Sequence, residues 1–202
     1  GMGVVLFGRR LRGGRGTGGV IAAGIFDVCP DVLCLGKGLS GGYAPLSAVL
    51  CRKSIADAFW GDPAVNPGFV EGHTFEGNPI SCAAGLAVLD EIIERDLCAN
   101  ARAMGQRLRD GLESLRKHGV IGDIRGKGLM QGIEFVSDLE TKCRFTPPIG
   151  QRIGRRALEN GLLTRFDPHW LALGPPLIVT ADQIDQIVPR SEGRPVGHEC
   201  RS

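Results

Sequence analysis

The chain has almost no net charge: 24 lysines and arginines stand against 22 aspartates and glutamates, a formal +2. Polyanions and acidic membrane surfaces ask for a larger and more one-sided balance, so neither nucleic acid nor membrane is expected as a partner. No apolar run approaches the roughly 20 residues of a membrane-crossing helix, and no basic-then-apolar leader opens the sequence. A soluble, cytoplasmic protein is expected. Paired thiolates are missing too. The seven cysteines form no C-x-x-C pair, whereas a metal site would want closely paired thiolates with histidines at ligand spacing, so no metal site is expected. Most of them have apolar neighbours, as in Val32-Leu33-Cys34-Leu35 and Ser81-Cys82-Ala83-Ala84. They read as small buried hydrophobes in a reducing compartment. Acidic residues are also missing from the start, because no Asp or Glu precedes Asp27.

Glycine, by contrast, is abundant, with 31 residues, many of them before position 45. Glycine at that density serves turns and close ligand approach, or marks a segment that does not fold by itself. Residues 8–19 form a Gly/Arg tract without periodicity and are expected to be poorly ordered alone. Val20 to Ala23 suits a strand or a helix start. Val32–Leu35 and Pro45–Cys51 read as buried strands, with a short helix over Arg52–Trp60. Asn78-Pro79 is a helix start, and helical pattern continues to His118, where Gly119 stops it. An unbroken helix of that length would span about 60 Å, too long for a compact unit, so a break is expected between Asp96 and Asn100. Beyond it come two strands within Val120–Val136, a helix over Pro148–Asn160 and strands at Leu162–Arg165 and Trp170–Leu173. A helix capped by Thr180 then runs to Val188. The expected division is 1–19 as a divergent Gly/Arg-rich segment, 20–97 and 98–188 as two domains, and 189–202 as a polar tail.

Lys37 lies between two glycines directly after the Val32–Leu35 strand. The carboxyl edge of a sheet is where α/β proteins place their ligands, and glycines on either side let a flat ring approach the backbone. A lysine drawn out of bulk water loses its preference for the ammonium form, and its neutral amine can then attack an aldehyde. Spacing alone leaves a solvated turn lysine open as the other reading.

Residues Pro30 to Leu46 (PDVLCLGKGLSGGYAPL) resemble the cofactor-lysine segment of the class III aminotransferases, pyridoxal-phosphate enzymes of fold type I. Gly72-His73-Thr74-Phe75-Glu76-Gly77-Asn78-Pro79, followed by the Ala-rich stretch Ser81–Leu89, resembles a second signature of that family. Arg125-Gly126-Lys127-Gly128-Leu129-Met130 resembles a third. The three occur in family order over roughly residues 27 to 188. The resemblance implies an α/β fold, with residues 20–97 forming part of the large cofactor-binding domain and 98–188 a small α+β C-terminal domain. It implies pyridoxal 5'-phosphate as cofactor and a homodimer as the assembly.

The resemblance also assigns residues. Lys37 would hold the cofactor and move a proton between the substrate α-carbon and the cofactor's C4′. Thr74 would bind the phosphate of the partner subunit's cofactor, with His73 beside it, since phosphate favours short, charge-assisted hydrogen bonds. An ordinary turn threonine is the plainer reading. Arg165 stands where pyruvate-using ω-aminotransferases carry an arginine ahead of a Pro-Pro segment, here Pro175-Pro176. A planar guanidinium pairs with a carboxylate through two parallel bonds. A solvated strand-end charge is the alternative. Ornithine-type members carry a fixed arginine shortly before Pro-Pro, and Ala172 occupies that position here. The implied substrates are therefore an ω-amino acid or amine as donor and a 2-oxo acid such as pyruvate as acceptor. Arg125 reads as structural, an anchor for carbonyls or a carboxylate.

A complete family member is much longer, with an N-terminal half that brings a phosphate loop and a ring-stacking aromatic. It also has an aspartate for the pyridine nitrogen, which counting back from Lys37 would place near Gly8. No carboxylate stands there, so slow or no transamination and weak cofactor binding are expected of this chain. Its ends read as unrelated sequence joined to a family core, for example through a shifted reading frame. Aminomutases, racemases and decarboxylases share the lysine segment and remain open. Two unrelated readings are a dinucleotide site at Gly14–Gly19, which fits G-x-G-x-x-G, and a Gly/Arg arm that binds RNA. The first lacks a clean βαβ unit and the second lacks interleaved aromatics.

Overall fold

The structure, a computed structural model, describes residues 7–9, 29–60, 62, 64–65 and 68–192. Val20 to Ala23, most of the Gly/Arg tract including Gly14–Gly19, and residues 193–202 of the expected tail lie outside these. The chain divides into two compact units between Asp96 and Leu97.

In the first unit, strand β1 (Phe7–Arg9) pairs in parallel with β2 (Val32–Leu35), placing Gly8 opposite Leu33. β2 in turn pairs antiparallel with β3 (Ala48–Cys51). The ladder thus reaches back into the segment that composition set apart. A short helix α1 (Lys53–Ala56) and a 3-10 turn (Asp57–Phe59) share the stretch expected to be one helix. Helix α2 (Pro79–Glu94) starts as its sequence dictates. Asn78 Oδ1 accepts from the N–H groups of Ile80 and Ser81 at 3.1 Å, and Pro79 occupies a position that needs no donor. It stops at Arg95-Asp96, where Asp96 takes φ 42° and breaks the helical run.

The second unit is a four-stranded antiparallel sheet in the order β4-β5-β7-β6 with three helices. Its strands are β4 (Ile121–Lys127), β5 (Met130–Phe135), β6 (Arg165–Asp167) and β7 (Trp170–Leu173). Its helices are α3 (Leu97–Glu113), α4 (Gly150–Glu159) and α5 (Ala181–Ser191). Alternation along β5 and β7 sends Gln131, Ile133, Phe135, Leu171 and Leu173 to the core face. There they meet Leu108 and Leu112 of α3 and Ile184 of α5. Helix α3 lies so close to the β4–β5 turn that a Cβ on Gly105 would fall 2.2 Å from the Gly128 carbonyl carbon. Asn100 ties the same helix to the loop before α5 through the carbonyls of Leu177 and Val179, at 2.6 and 3.1 Å. Thr180 and Gln183 cap α5 reciprocally.

Several expectations need correction. Pro45–Cys51 is a strand only from Ala48, and it is not buried: Val49 is 69% and Leu50 49% exposed. β3 is the edge of a three-stranded sheet, and no described residue covers those side chains. Cys51 on β3 and Cys82 on α2 are likewise exposed. Among the described cysteines only Cys98 is buried, against the expectation that most would be. Strand β6 begins rather than ends at Arg165. Helix α5 continues through Pro189 to Ser191, past the residue where the tail was expected to begin. A proline in the last turn removes one ladder donor, and Ser191 Oγ donates locally to the Val188 carbonyl at 2.7 Å.

Apolar burial is unevenly shared. Of the twenty buried hydrophobic residues among those described, only Leu33 and Ile92 belong to the first unit, whereas twelve of sixteen exposed large hydrophobics do.

Candidate active site

Strand β2 ends at Leu35, Gly36 follows, and Lys37 then adopts φ 57°, ψ −100°. A residue with a Cβ rarely occupies that region, and holding it there costs about 1–3 kcal/mol. Such strain persists where surrounding structure over-determines it, and it gathers at functional sites. The supports are visible. A 3-10 turn (Gly38–Ser40) follows immediately, closed by Gly41 at φ 65°, whose N–H donates to Gly38 O at 3.1 Å. Ser40 is 1% exposed and its hydroxyl donates to the Ala44 carbonyl. Helix α2 packs against this turn. It does so through Gly85, where a Cβ would stand 2.5 Å from Leu46 Cδ2 and force that side chain to move. The Lys37 side chain itself is exposed, with no ion pair or hydrogen bond among the described residues. No Cβ contact would arise at Gly38 or Gly42, so the backbone beside the amine is open to a ligand.

His73 and Thr74 precede α2 in a turn held by Glu76 N–H to His73 O at 2.9 Å and Asn78 N–H to Phe75 O at 3.2 Å. Both side chains are exposed. The helix they lead into is the one packed on the turn after Lys37, so one local framework carries all three residues.

Arg165 belongs to the second unit. It opens β6 directly across from Ala172, and its Cζ stands 5.5 Å from the centre of the Trp170 ring. The two positions weighed for a substrate arginine are therefore cross-strand neighbours. Trp170 is a contact that sequence reasoning missed. The signal lay in the spacing, because a turn at Pro168-His169 pairs Asp167 with Trp170 and leaves Arg165 diagonal to the indole.

Arg125 anchors carboxylates, one of the structural roles its sequence context suggested. Its Nη1 donates to Asp123 Oδ2 and to Glu134 Oε2, each at 2.8 Å. Glu134 first and Asp123 second raise the guanidinium's already high pKa. The hydrogen bond from Arg125 holds the Asp123 carboxyl below the usual carboxylate range. A depressed folded-state pKa stabilises the fold above the unfolded value near pH 4, and that contribution is lost as pH falls through the folded value. Arg125→Gln should therefore lower stability at pH 7 by roughly 0.2–1 kcal/mol, the range for exposed pairs, and by much less at pH 2.5. Urea unfolding at the two pH values reads the difference; an equal loss at both would rule out the ion pair as its cause. An apolar cleft of about 410 Å3 also opens in this unit, lined by Ile121, Ile133, Phe135, Leu171, Arg152 and Arg156 among others. It contains none of the candidate residues.

The model of the family "Aminotransferase class-III" matches residues 11–192, and the chain belongs to that family. It is 38% identical over 179 residues to the adenosylmethionine-8-amino-7-oxononanoate aminotransferase of Nitratidesulfovibrio vulgaris, covering 88% of this chain and 33% of that protein. Two solved structures superpose closely. One is a thermostable omega transaminase 6-fold mutant from Pseudomonas jessenii, with TM-score 0.84 and 32% identity, covering 94% of this chain and 43% of that one. The other is an amine transaminase from an uncultivated Pseudomonas species in its PLP-bound form, with TM-score 0.82 and 36% identity, covering 90% and 41%. The architecture is thus part of a fold type I transferase, and the chain spans well under half the length of these relatives.

Proposed function

We propose that this chain carries the lysine-bearing part of a pyridoxal-phosphate-dependent transaminase. Its reaction would pass an amino group from an ω-amino acid or amine to a 2-oxo acid such as pyruvate. The observation that carries the reading is the strained backbone of Lys37 at the end of β2, within a chain of this family; its side chain is exposed, contrary to the withdrawal from water that the sequence led one to expect. Pyridoxal phosphate, when bound, supplies an electron sink for the bonding pair left at the substrate's α-carbon. Lys37 would hold the cofactor through its amine and move the proton at that carbon. Thr74, with His73 beside it, would bind the phosphate of a partner subunit's cofactor. Arg165 would bind a substrate carboxylate. A homodimer also suits the segment that carries Thr74, residues 69–80, in which Phe69, Val70, Phe75 and Ile80 are all at least 68% exposed. Apolar exposure of that extent marks a contact surface.

One expected part is missing. Gly8, near the place implied for the pyridine nitrogen's carboxylate partner, lies on β1, the neighbour of the lysine strand. Gly8→Asp is therefore expected to strengthen cofactor binding. A hydrogen bond to a charged group contributes about 1.5–3 kcal/mol, or roughly ten- to a hundredfold in affinity. Cofactor titration by absorbance measures the affinity, and alanine formed from pyruvate and 3-aminopropanoate reports the reaction. If the Gly8→Asp chain held cofactor firmly yet released no alanine, whatever the donor, the transaminase reading would give way to another lysine-dependent activity of the family.

A further inference from the structure

In the second unit's sheet one row of paired residues runs Arg125, Gly132, Ala172, Arg165. The next row on the same face runs Asp123, Glu134, Trp170, Asp167. The two arginines are held differently. Arg125 is committed to Asp123 and Glu134. Arg165 has no ion pair among the described residues, and its guanidinium carbon stands 5.5 Å from the centre of the Trp170 ring. Along its own row lie Ala172 and then Gly132, and a Cβ on Gly132 would meet nothing nearer than Arg125 O at 3.7 Å. The guanidinium rests diagonally over the indole, and the small side chains along its own row, Ala172 and Gly132, leave room for it beside that ring.

We propose that Trp170 is a positioning residue that parks Arg165, so that a ligand carboxylate must compete with the indole for the guanidinium. The proposal rests on the reading of Arg165 as the carboxylate binder and adds what sets its strength. The choice of side chain matters. An aromatic face attracts a cation weakly at an exposed site, by about two- to fivefold in an equilibrium, whereas a carboxylate takes it through two charge-assisted bonds. An acidic residue at position 170 would hold Arg165 against any incoming carboxylate, and an aliphatic one would leave it unplaced. Tryptophan holds the charge aside while a neutral amine occupies the site, and yields it to an acid. Trp170 thereby tunes discrimination between carboxylate-bearing and uncharged ligands.

The chain has two tryptophans, so Trp60→Phe leaves Trp170 as the sole indole reporter. In that background, Arg165→Gln should change Trp170 emission, and propanoate should shift the emission of the Arg165 chain saturably towards the same value. An emission unaffected by Arg165→Gln overturns the parking contact. Propanoate affinity, followed by ligand-observed NMR, separates the two ideas. Trp170→Leu should bind propanoate about two- to fivefold more tightly, and Trp170→Phe, which keeps an aromatic face, should stay near the starting value. If Arg165→Gln leaves propanoate affinity unchanged, or the starting chain shows none, the carboxylate role of Arg165 fails and the inference with it. If Arg165→Gln loses affinity but Trp170→Leu gains none, only the parking role fails. Should Trp170→Leu not fold, the emission comparison decides alone.

Discussion

Alanine at position 37 is expected to abolish covalent capture of pyridoxal phosphate by this chain. Borohydride reduction with cofactor present, followed by peptide mapping, should place a pyridoxyl group on the Lys37 peptide of the unaltered chain and on no peptide of Lys37→Ala. Arginine there should fail as well, because it keeps the charge but offers no nucleophilic amine. Any amino transfer measured should fall by about 10²–10⁴-fold, the range associated with losing a positioned proton carrier. The chain has four other lysines, Lys53, Lys117, Lys127 and Lys142, which serve as internal controls. Lys53 is already paired with Asp57 at 2.7 Å and Lys117 with Glu192 at 3.0 Å. A label carried mainly by one of these four would reject the assignment of Lys37.

The second large effect concerns stability. Leu108→Ala should lower unfolding free energy by about 2–5 kcal/mol, since Leu108 is fully buried among Leu112, Ile124, Leu129, Leu171 and Ile184. Leu86→Ala, on the 61%-exposed flank of α2, should change it by no more than about 0.5 kcal/mol. The contrast follows from where apolar area is buried, since removal from water stabilises by about 25 cal/mol per Å² and most of the buried side chains sit in the second unit. Urea unfolding followed by circular dichroism compares the two variants. Equal effects from both would mean that the first unit has a core of its own, contrary to the distribution of burial.

Much of the architecture could be read from local chemistry. The β4–β5 hairpin announced itself through Gly126 and Gly128 between two apolar stretches. The starts of α2 and α5 followed from Asn78-Pro79 and Thr180, and the break after α2 followed from the implausible length of one continuous helix. What depended on distant neighbours could not be read. Val49, Leu50 and Cys51 look like core residues on any hydropathy scale, yet burial is a property of what lies against a strand. The start of β6 was misplaced because the turn at Pro168-His169, and not the apolar pattern, sets the β6–β7 register. For the candidate site, the positions of Lys37, His73, Thr74 and Arg165 came from motif resemblance. The positive φ of Lys37 and the indole beside Arg165 needed coordinates. The glycines around Lys37 advertise a tight turn, but they would sooner suggest that the unusual torsion falls on one of themselves.

That torsion bears on how the position should drift over generations. The backbone at 37 suits glycine better than any residue with a side chain, so folding by itself exerts no pull towards lysine. Under the proposed function, only use of the amine retains it. In duplicated copies released from that duty, glycine should be among the earliest arrivals, and the copies that acquire it should be those that have also lost their hold on the cofactor.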